Sequence, residues 1–153
     1  MNVEEIDIKI IPETLMLTRG NMITGEIYFT TKSDAFPEKE WRDFVVVILT
    51  WWYDAIINIL KNKQNEMTET LYFMDGPFMI KAVIVSDDLL TLNFIERVSS
   101  GEQIVFTINT SINEFKNTLL RSGNELLIEL NERGWYSDDI DAFKVRHQSL
   151  LNI

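Results

Sequence analysis

The chain has 153 residues, of which 24 are acidic and 14 are basic, and its formal net charge is −10. A chain of this length predicts one domain. Hydrophobic residues make up 46% and charged residues 25%, which is an ordinary globular composition and argues against intrinsic disorder. The absence of cysteine excludes disulfide frameworks, thiolate metal sites and cysteine nucleophiles.

The charge balance argues against nucleic-acid binding, because binding to phosphates depends on clustered lysine and arginine. No secretory signal is predicted, since residues 1–5 include two glutamates and do not lead into an apolar run. The longest apolar stretch, residues 45–60, includes Asp54 and is shorter than the roughly 20 residues that span a membrane. We therefore expect a cytoplasmic protein with no nucleic-acid partner and no membrane partner.

The first thirty residues predict antiparallel strands. Residues 5–10 alternate polar and apolar side chains, which places three isoleucines on one face of a strand. A second extended stretch is predicted over residues 14–18, followed by a turn at residues 19–21. Residues 22–31 predict a longer strand with a β-prone centre.

A long helix is predicted next. Pro37 suits the first position of a helix, and the acidic residues around it oppose the positive end of the helix dipole. From Trp41 onward, large apolar residues recur at helical spacing as far as Ile59, so the helix is expected to end between residues 61 and 65. The β-branched residues 45–48 are also compatible with a strand, but the helical period over five turns favours a helix.

Four short β-prone runs follow, and turn residues separate them. They span residues 71–74, 78–85, 89–97 and 104–109. Connections this short favour antiparallel neighbours, so the segment predicts a four-stranded meander.

The C-terminal third predicts a second long helix. Ser111 and Glu114 match a capping box, and the apolar spacing predicts one helix over Ile112–Arg133. Gly123 lies on its apolar face and predicts close approach to another element, at a helix cost of about 1 kcal/mol relative to alanine. The alternative is a break, with Asn124 capping a new helix.

Two further signals mark the end of this region. Gly134 matches a helix C-cap, and Ser137 begins a short terminal helix. The order of elements predicts an α+β fold, with one domain over residues 1–153. Its antiparallel sheet contains the N-terminal strands and the meander, and two long helices pack on one face.

The first long helix is apolar on more than one face. Its tryptophans are expected in the core, because burial of a large ring is worth about 2 to 3 kcal/mol: Trp41, Trp51 and Trp52. Other apolar residues lie on the opposite face: Val46, Tyr53 and Ile57. Either the N-terminal strands or a second subunit covers that face, and the second case predicts a homodimer.

The usual catalytic motifs are missing from the sequence. No glycine-rich nucleotide loop or nucleophile elbow is present. The lone His147 is expected to be a surface residue near the C-terminus, and a catalytic base is the alternative. We expect a protein that is not an enzyme and binds no cofactor.

Carboxylates are the abundant chemical resource. Residues 123–141 contain six acidic side chains and one basic side chain, Arg133. The candidate partner-binding residues in this segment are Glu125, Glu129, Glu132, Trp135, Asp138, Asp139 and Asp141. The glutamates form one ridge of a helix, which is either a solvated face or a docking surface for a basic protein partner.

Two groups of residues in this segment leave alternatives open. The three aspartates suit a helix N-terminus electrostatically, or they ligate a hard cation such as magnesium. Trp135 and Tyr136 form either an exposed interface anchor or a packed helix end.

Several segments resemble the small acidic proteins that bacteria encode to neutralise their own toxins. They are the Phe36-Pro37 to Trp41 opening, the Trp51-Trp52 pair, residues 72–77, and the acidic helix that ends at Arg133-Gly134-Trp135. The resemblance is one of size, charge and architecture. It implies a cytoplasmic immunity-type inhibitor that covers the cationic surface of a toxin, commonly a nuclease. A self-associating structural domain and a carboxylate-dependent metal enzyme are the alternatives.

Overall fold

The computed structural model describes residues 3–153, which form an α+β fold. In chain order its elements are β1 (Asp7–Leu17), β2 (Ile23–Thr30), β3 (Ala35–Phe36), β4 (Arg42–Asp43), α1 (Val45–Asn62), β5 (Thr68–Tyr72), β6 (Phe78–Ser86), β7 (Leu89–Val98), β8 (Gly101–Ser111), α2 (Ile112–Arg133) and α3 (Asp138–Leu151).

The strands form two antiparallel sheets. In the first sheet β2 pairs with β1, β3 and β4. The second sheet has the order β5-β6-β7-β8, which confirms the predicted meander. The N-terminal strands therefore make a sheet of their own, and the α+β class is confirmed. A hydrogen bond from the Glu4 N–H to the Asn109 carbonyl, at 2.8 Å, links the start of the chain to β8.

Helix α1 occupies the centre of the hydrophobic core. It contacts β2 of the first sheet and β5 of the second. The ring of Trp52 is fully buried and lies 4.8 Å from Phe29 and 5.2 Å from Phe73, measured between ring centroids. By length and composition alone α1 could span a membrane, but in this fold its buried side chains join the two sheets.

Helix α1 begins later than the sequence pattern predicts. The pattern favours a start at Pro37, whereas the helix starts at Val45. Residues 35–43 instead contribute β3 and β4, and the Ile27 N–H donates to the Trp41 carbonyl at 2.9 Å. Because these backbone groups pair with β2, a helix there would remove the pairing. The predicted end is confirmed, since α1 stops at Asn62.

The tryptophan prediction is correct for two of the three residues. Trp52 is fully buried, and Trp41 is partly buried against the core. Trp51 is 39% exposed. It lines a shallow apolar groove with Tyr72 and Met74.

The far face of α1 is covered by the same chain. Val46 and Tyr53 are buried, and Ile57 is partly buried. Helix α3 packs along α1, with the ring of Phe143 at 5.1 Å from that of Tyr53. This face therefore gives no support to a homodimer.

The helix signals of the C-terminal third are confirmed. The Ser111 hydroxyl accepts the Glu114 N–H at 3.1 Å, and α2 runs without a break through Gly123 to Arg133. Gly134 ends it with φ of 67°. Helix α3 has 14 residues and so reaches further than the short helix that the sequence predicts.

Candidate functional site

Helices α2 and α3 form an antiparallel hairpin. Gly134 turns the chain in a left-handed conformation, which glycine adopts without steric cost. The Ser137 hydroxyl then accepts the Ile140 N–H at 3.2 Å and begins α3. Because His147 returns to the side of Gly123, the two helices lie next to each other over most of their length.

The predicted acidic residues all lie on this hairpin. Glu125, Glu132, Asp138 and Asp141 are exposed, and Glu129 and Asp139 are partly buried. Within residues 3–153 only Glu129 of the six is in a salt bridge. The other carboxylates are therefore available to an external cation.

Glu129 and Trp135 both contact Arg133. Arg133 donates from Nε to Glu129 at 3.1 Å and from its terminal nitrogens to the carbonyls of Leu15 and Pro12, at 3.0 and 2.9 Å. Its guanidinium lies 4.9 Å from the centre of the Trp135 ring. This cluster attaches the end of α2 to β1, so Trp135 belongs to a packed helix end.

Four large apolar side chains of the hairpin are exposed: Ile128, Tyr136, Val145 and Leu151. Ile128 is 52% exposed and Tyr136 is 72% exposed. Ile128 lies three residues after Glu125 and four before Glu132, so these side chains share one face of α2. We define the acidic hairpin surface as Glu125, Ile128, Glu132, Tyr136, Asp138 and Asp141. The exposure of Ile128 was not predicted, although its position outside the apolar stripe of α2 indicates it.

The three aspartates of α3 do not form a metal site. In the described part of the chain no three carboxylate or imidazole groups lie close enough to hold a metal ion. Asp138, Asp139 and Asp141 lie in the first turn of α3, where negative charge favours the helix.

His147 is buried, so the prediction of a surface histidine is wrong. It is 8% exposed, and its Nδ1 lies 2.8 Å from the Tyr53 hydroxyl. That hydroxyl also lies 2.7 Å from the Leu119 carbonyl, which can only accept. The Tyr53 proton therefore goes to Leu119, and His147 donates from Nδ1 to the Tyr53 oxygen. This buried link joins all three helices.

Burial also controls the ionisation of the two side chains. Loss of hydration lowers the pKa of His147 below its usual value of 6.5 and raises the pKa of Tyr53. Both groups are neutral near neutral pH. Packing and hydrogen bonding account for the positions of both side chains.

We expect His147 to make the protein less stable in mild acid. Between its folded and unfolded pKa values the unfolded chain binds more protons, so the free energy of unfolding falls as pH decreases below about 6.5. Urea denaturation between about pH 7 and pH 5 measures this slope. In the His147→Gln variant the slope is expected to be smaller, and an unchanged slope would contradict the assignment.

Another buried ionisable group lies near the start of α1. Asp43 is 1% exposed. Its Oδ1 accepts the Phe44 N–H at 2.7 Å, and its Oδ2 accepts the Trp41 indole N–H at 3.1 Å and the Asp75 N–H at 3.2 Å. Burial raises the pKa of Asp43 although these donors favour the carboxylate. The side chain thus connects three segments of the fold.

A cleft of about 1260 Å³ lies between the start of β1, the end of β2 and α2. Charged residues of both signs line it: Glu4, Glu5, Asp7, Lys32, Glu114 and Arg121. Burial raises the pKa of Asp7, but hydrogen bonds and charges from Lys9 and Arg121 outweigh it and lower the pKa. Because the charges are mixed and partly paired with each other, the cleft favours no single class of ligand.

Comparison of the chain with protein-family models, curated proteins and solved structures found no significant match.

Proposed function

We propose that this protein is a non-enzymatic, cytoplasmic binding protein of the immunity type, which inhibits a basic protein partner such as a toxin. The partner docks on the acidic hairpin surface. One observation carries the proposal: this surface combines carboxylates that have no salt-bridge partner within residues 3–153 with two largely exposed apolar side chains.

The combination supports docking over a purely solvated face. Ile128 and Tyr136 supply exposed apolar surface beside these charges. Protein interfaces typically place aromatic and aliphatic anchors within a charged rim, and tyrosine is enriched among the residues that dominate binding energy. The carboxylates would accelerate association with a basic partner and oppose acidic ones.

Hydrogen bonds also hold the hairpin in one conformation. The link between Tyr53, Leu119 and His147 holds α3 against α1 and α2, and Arg133 attaches the hairpin to β1. A surface held in one conformation loses little conformational entropy when a partner binds.

Affinity capture tests the proposal. The hairpin variant carries Glu125→Lys, Glu132→Lys and Asp141→Lys, and leaves Glu129 in place because that residue holds Arg133. We expect it to lose at least about tenfold in affinity for the protein that the wild type captures from its source cell. Mass spectrometry and a circular-dichroism spectrum measure the capture and the fold.

The matched control carries Glu38→Lys, Glu66→Lys and Asp87→Lys, three exposed residues in turns and connections. Its net charge equals that of the hairpin variant, so it separates the site from the overall charge. We expect it to capture the partner as the wild type does. An equal loss of affinity in both variants would show that only the net charge matters, and it would contradict the proposed site.

A further inference from the structure

Helices α2 and α3 carry five lysine and arginine side chains, and one of them differs from the rest in its contacts. Four are held by hydrogen bonds to other residues: Lys116, Arg121, Arg133 and Arg146. The fifth is Lys144, which is exposed. Within residues 3–153 it makes neither a salt bridge nor a side-chain hydrogen bond.

The ammonium group of Lys144 lies over an aromatic ring instead. Its Nζ is 5.9 Å from the centre of the Tyr136 ring, and the negative face of a ring attracts a cation within about 6 Å of its centre. Tyr136 belongs to the acidic hairpin surface and is 72% exposed. A cation of the chain itself therefore lies on the surface where the proposed basic partner docks.

The neighbouring pair of Arg133 and Trp135 shows how a fixed cation differs from Lys144. The Arg133 guanidinium is 4.9 Å from the centre of the Trp135 ring, and Glu129 and two carbonyls of β1 also hold it. Lys144 has a longer contact with its ring and no such bonds. Because cation–π contacts at exposed sites are weak, the lysine side chain can leave the Tyr136 ring at little cost.

We infer that Lys144 competes with the partner for the face of the Tyr136 ring, and that a cationic side chain of the partner displaces it. The inference rests on the proposed function and adds a regulatory residue to the same surface. Asp138 and Asp141 lie two and five residues after Tyr136, and neither forms a salt bridge within residues 3–153. The partner's cation would gain both the ring and a carboxylate, whereas Lys144 contacts the ring alone.

Fluorescence anisotropy with a labelled hexaarginine peptide at low salt tests this inference. We expect Lys144→Gln to bind the peptide at least about threefold more tightly than the wild type, because the ring is uncovered and a repulsive charge is removed. The matched control Lys39→Gln makes the same change of charge at an exposed lysine between β3 and β4. It is expected to bind the peptide as the wild type does.

A double-mutant cycle separates the effect of the ring from that of the charge. Tyr136→Leu has no ring to uncover, so Lys144→Gln is expected to gain less affinity in that background than in the wild type. Unchanged affinity in Lys144→Gln, an equal gain in Lys39→Gln, or an undiminished gain in the Tyr136→Leu background would each overturn the inference.

The hairpin variant and its charge-matched control distinguish this failure from failure of the proposed function. If the hairpin variant binds hexaarginine more weakly than its control while Lys144→Gln gains nothing, the inference is overturned and the proposed function stands. Equal binding of the peptide by the hairpin variant and its control would contradict both.

Discussion

We expect the Gly123→Ala substitution to lower the free energy of unfolding by about 2–4 kcal/mol. Alanine is the better helix former by about 1 kcal/mol, so helix propensity alone predicts the opposite sign. The expected loss comes from the space around the residue. A Cβ at this position would lie 2.0 Å from the Tyr53 hydroxyl and 3.0 Å from Nδ1 of His147.

No small adjustment relieves this contact. Tyr53 is fully buried on α1, and its hydroxyl is already held between Leu119 and His147. Movement of the ring would break buried hydrogen bonds, and movement of α2 would separate it from α1 and α3. Both changes cost more than the gain in helix propensity.

Urea denaturation of Gly123→Ala, Tyr53→Phe and the double variant measures the effect. Tyr53→Phe removes the oxygen that the new methyl group would strike, so we expect the double variant to lose less than the sum of the single losses. Asn124→Ala, an exposed position on the same helix, is the control. Strictly additive losses would show that the clash with Tyr53 is not the cause.

We expect Asp43→Ala to destabilise the protein by a similar amount, about 2–4 kcal/mol. The substitution leaves three N–H donors without their acceptor: those of Phe44, the Trp41 indole and Asp75. An unpaired buried donor costs about 1–3 kcal/mol. The connection between the start of α1 and the loop after β5 is lost at the same time.

Asp43→Asn serves as the intermediate variant. Its amide keeps one oxygen as an acceptor but turns an NH₂ group toward at least one of the N–H donors. We therefore expect its stability to lie between those of Asp43→Ala and the wild type in urea denaturation. The fluorescence of the Trp41 indole should also change. Equal stability of Asp43→Ala and wild type would contradict the assigned role.

The fold was predictable where short-range periodicity agrees with the final packing. The four strands of the meander follow β-prone runs between turn residues, and α2 follows from its capping box and apolar spacing. Both depend on residues that are close in sequence. The predicted start of α1 was wrong, because residues 35–43 pair with β2. A helical period in the sequence cannot reveal pairing with a distant strand.

The buried histidine was not predictable from its neighbours in sequence. His147 lies near the end of the chain among exposed residues such as Lys144 and Gln148. Its burial depends on Tyr53, which is 94 residues away. The one signal was Gly123, whose place on an apolar helix face correctly predicted close approach to another element.

The positions of the acidic residues on helices were predictable from the sequence, whereas the contacts they make with distant residues were not. The spacing of the three glutamates predicts a single helix, and all three lie on α2, while the aspartates lie in the first turn of α3. The contacts of Glu129 and Trp135 with Arg133 were not predicted. Long-range contacts of Arg133 with the carbonyls of Leu15 and Pro12 leave no trace in the local pattern.

The dissociation constant of the captured partner, measured for wild type, hairpin variant and control variant at low and high salt, tests the central claim most directly. We expect the wild type and the control variant to bind alike and to weaken as salt screens the carboxylates. The hairpin variant should bind at least about tenfold more weakly at low salt and depend less on salt. A hairpin variant with the wild-type constant and the wild-type salt dependence would contradict the claim.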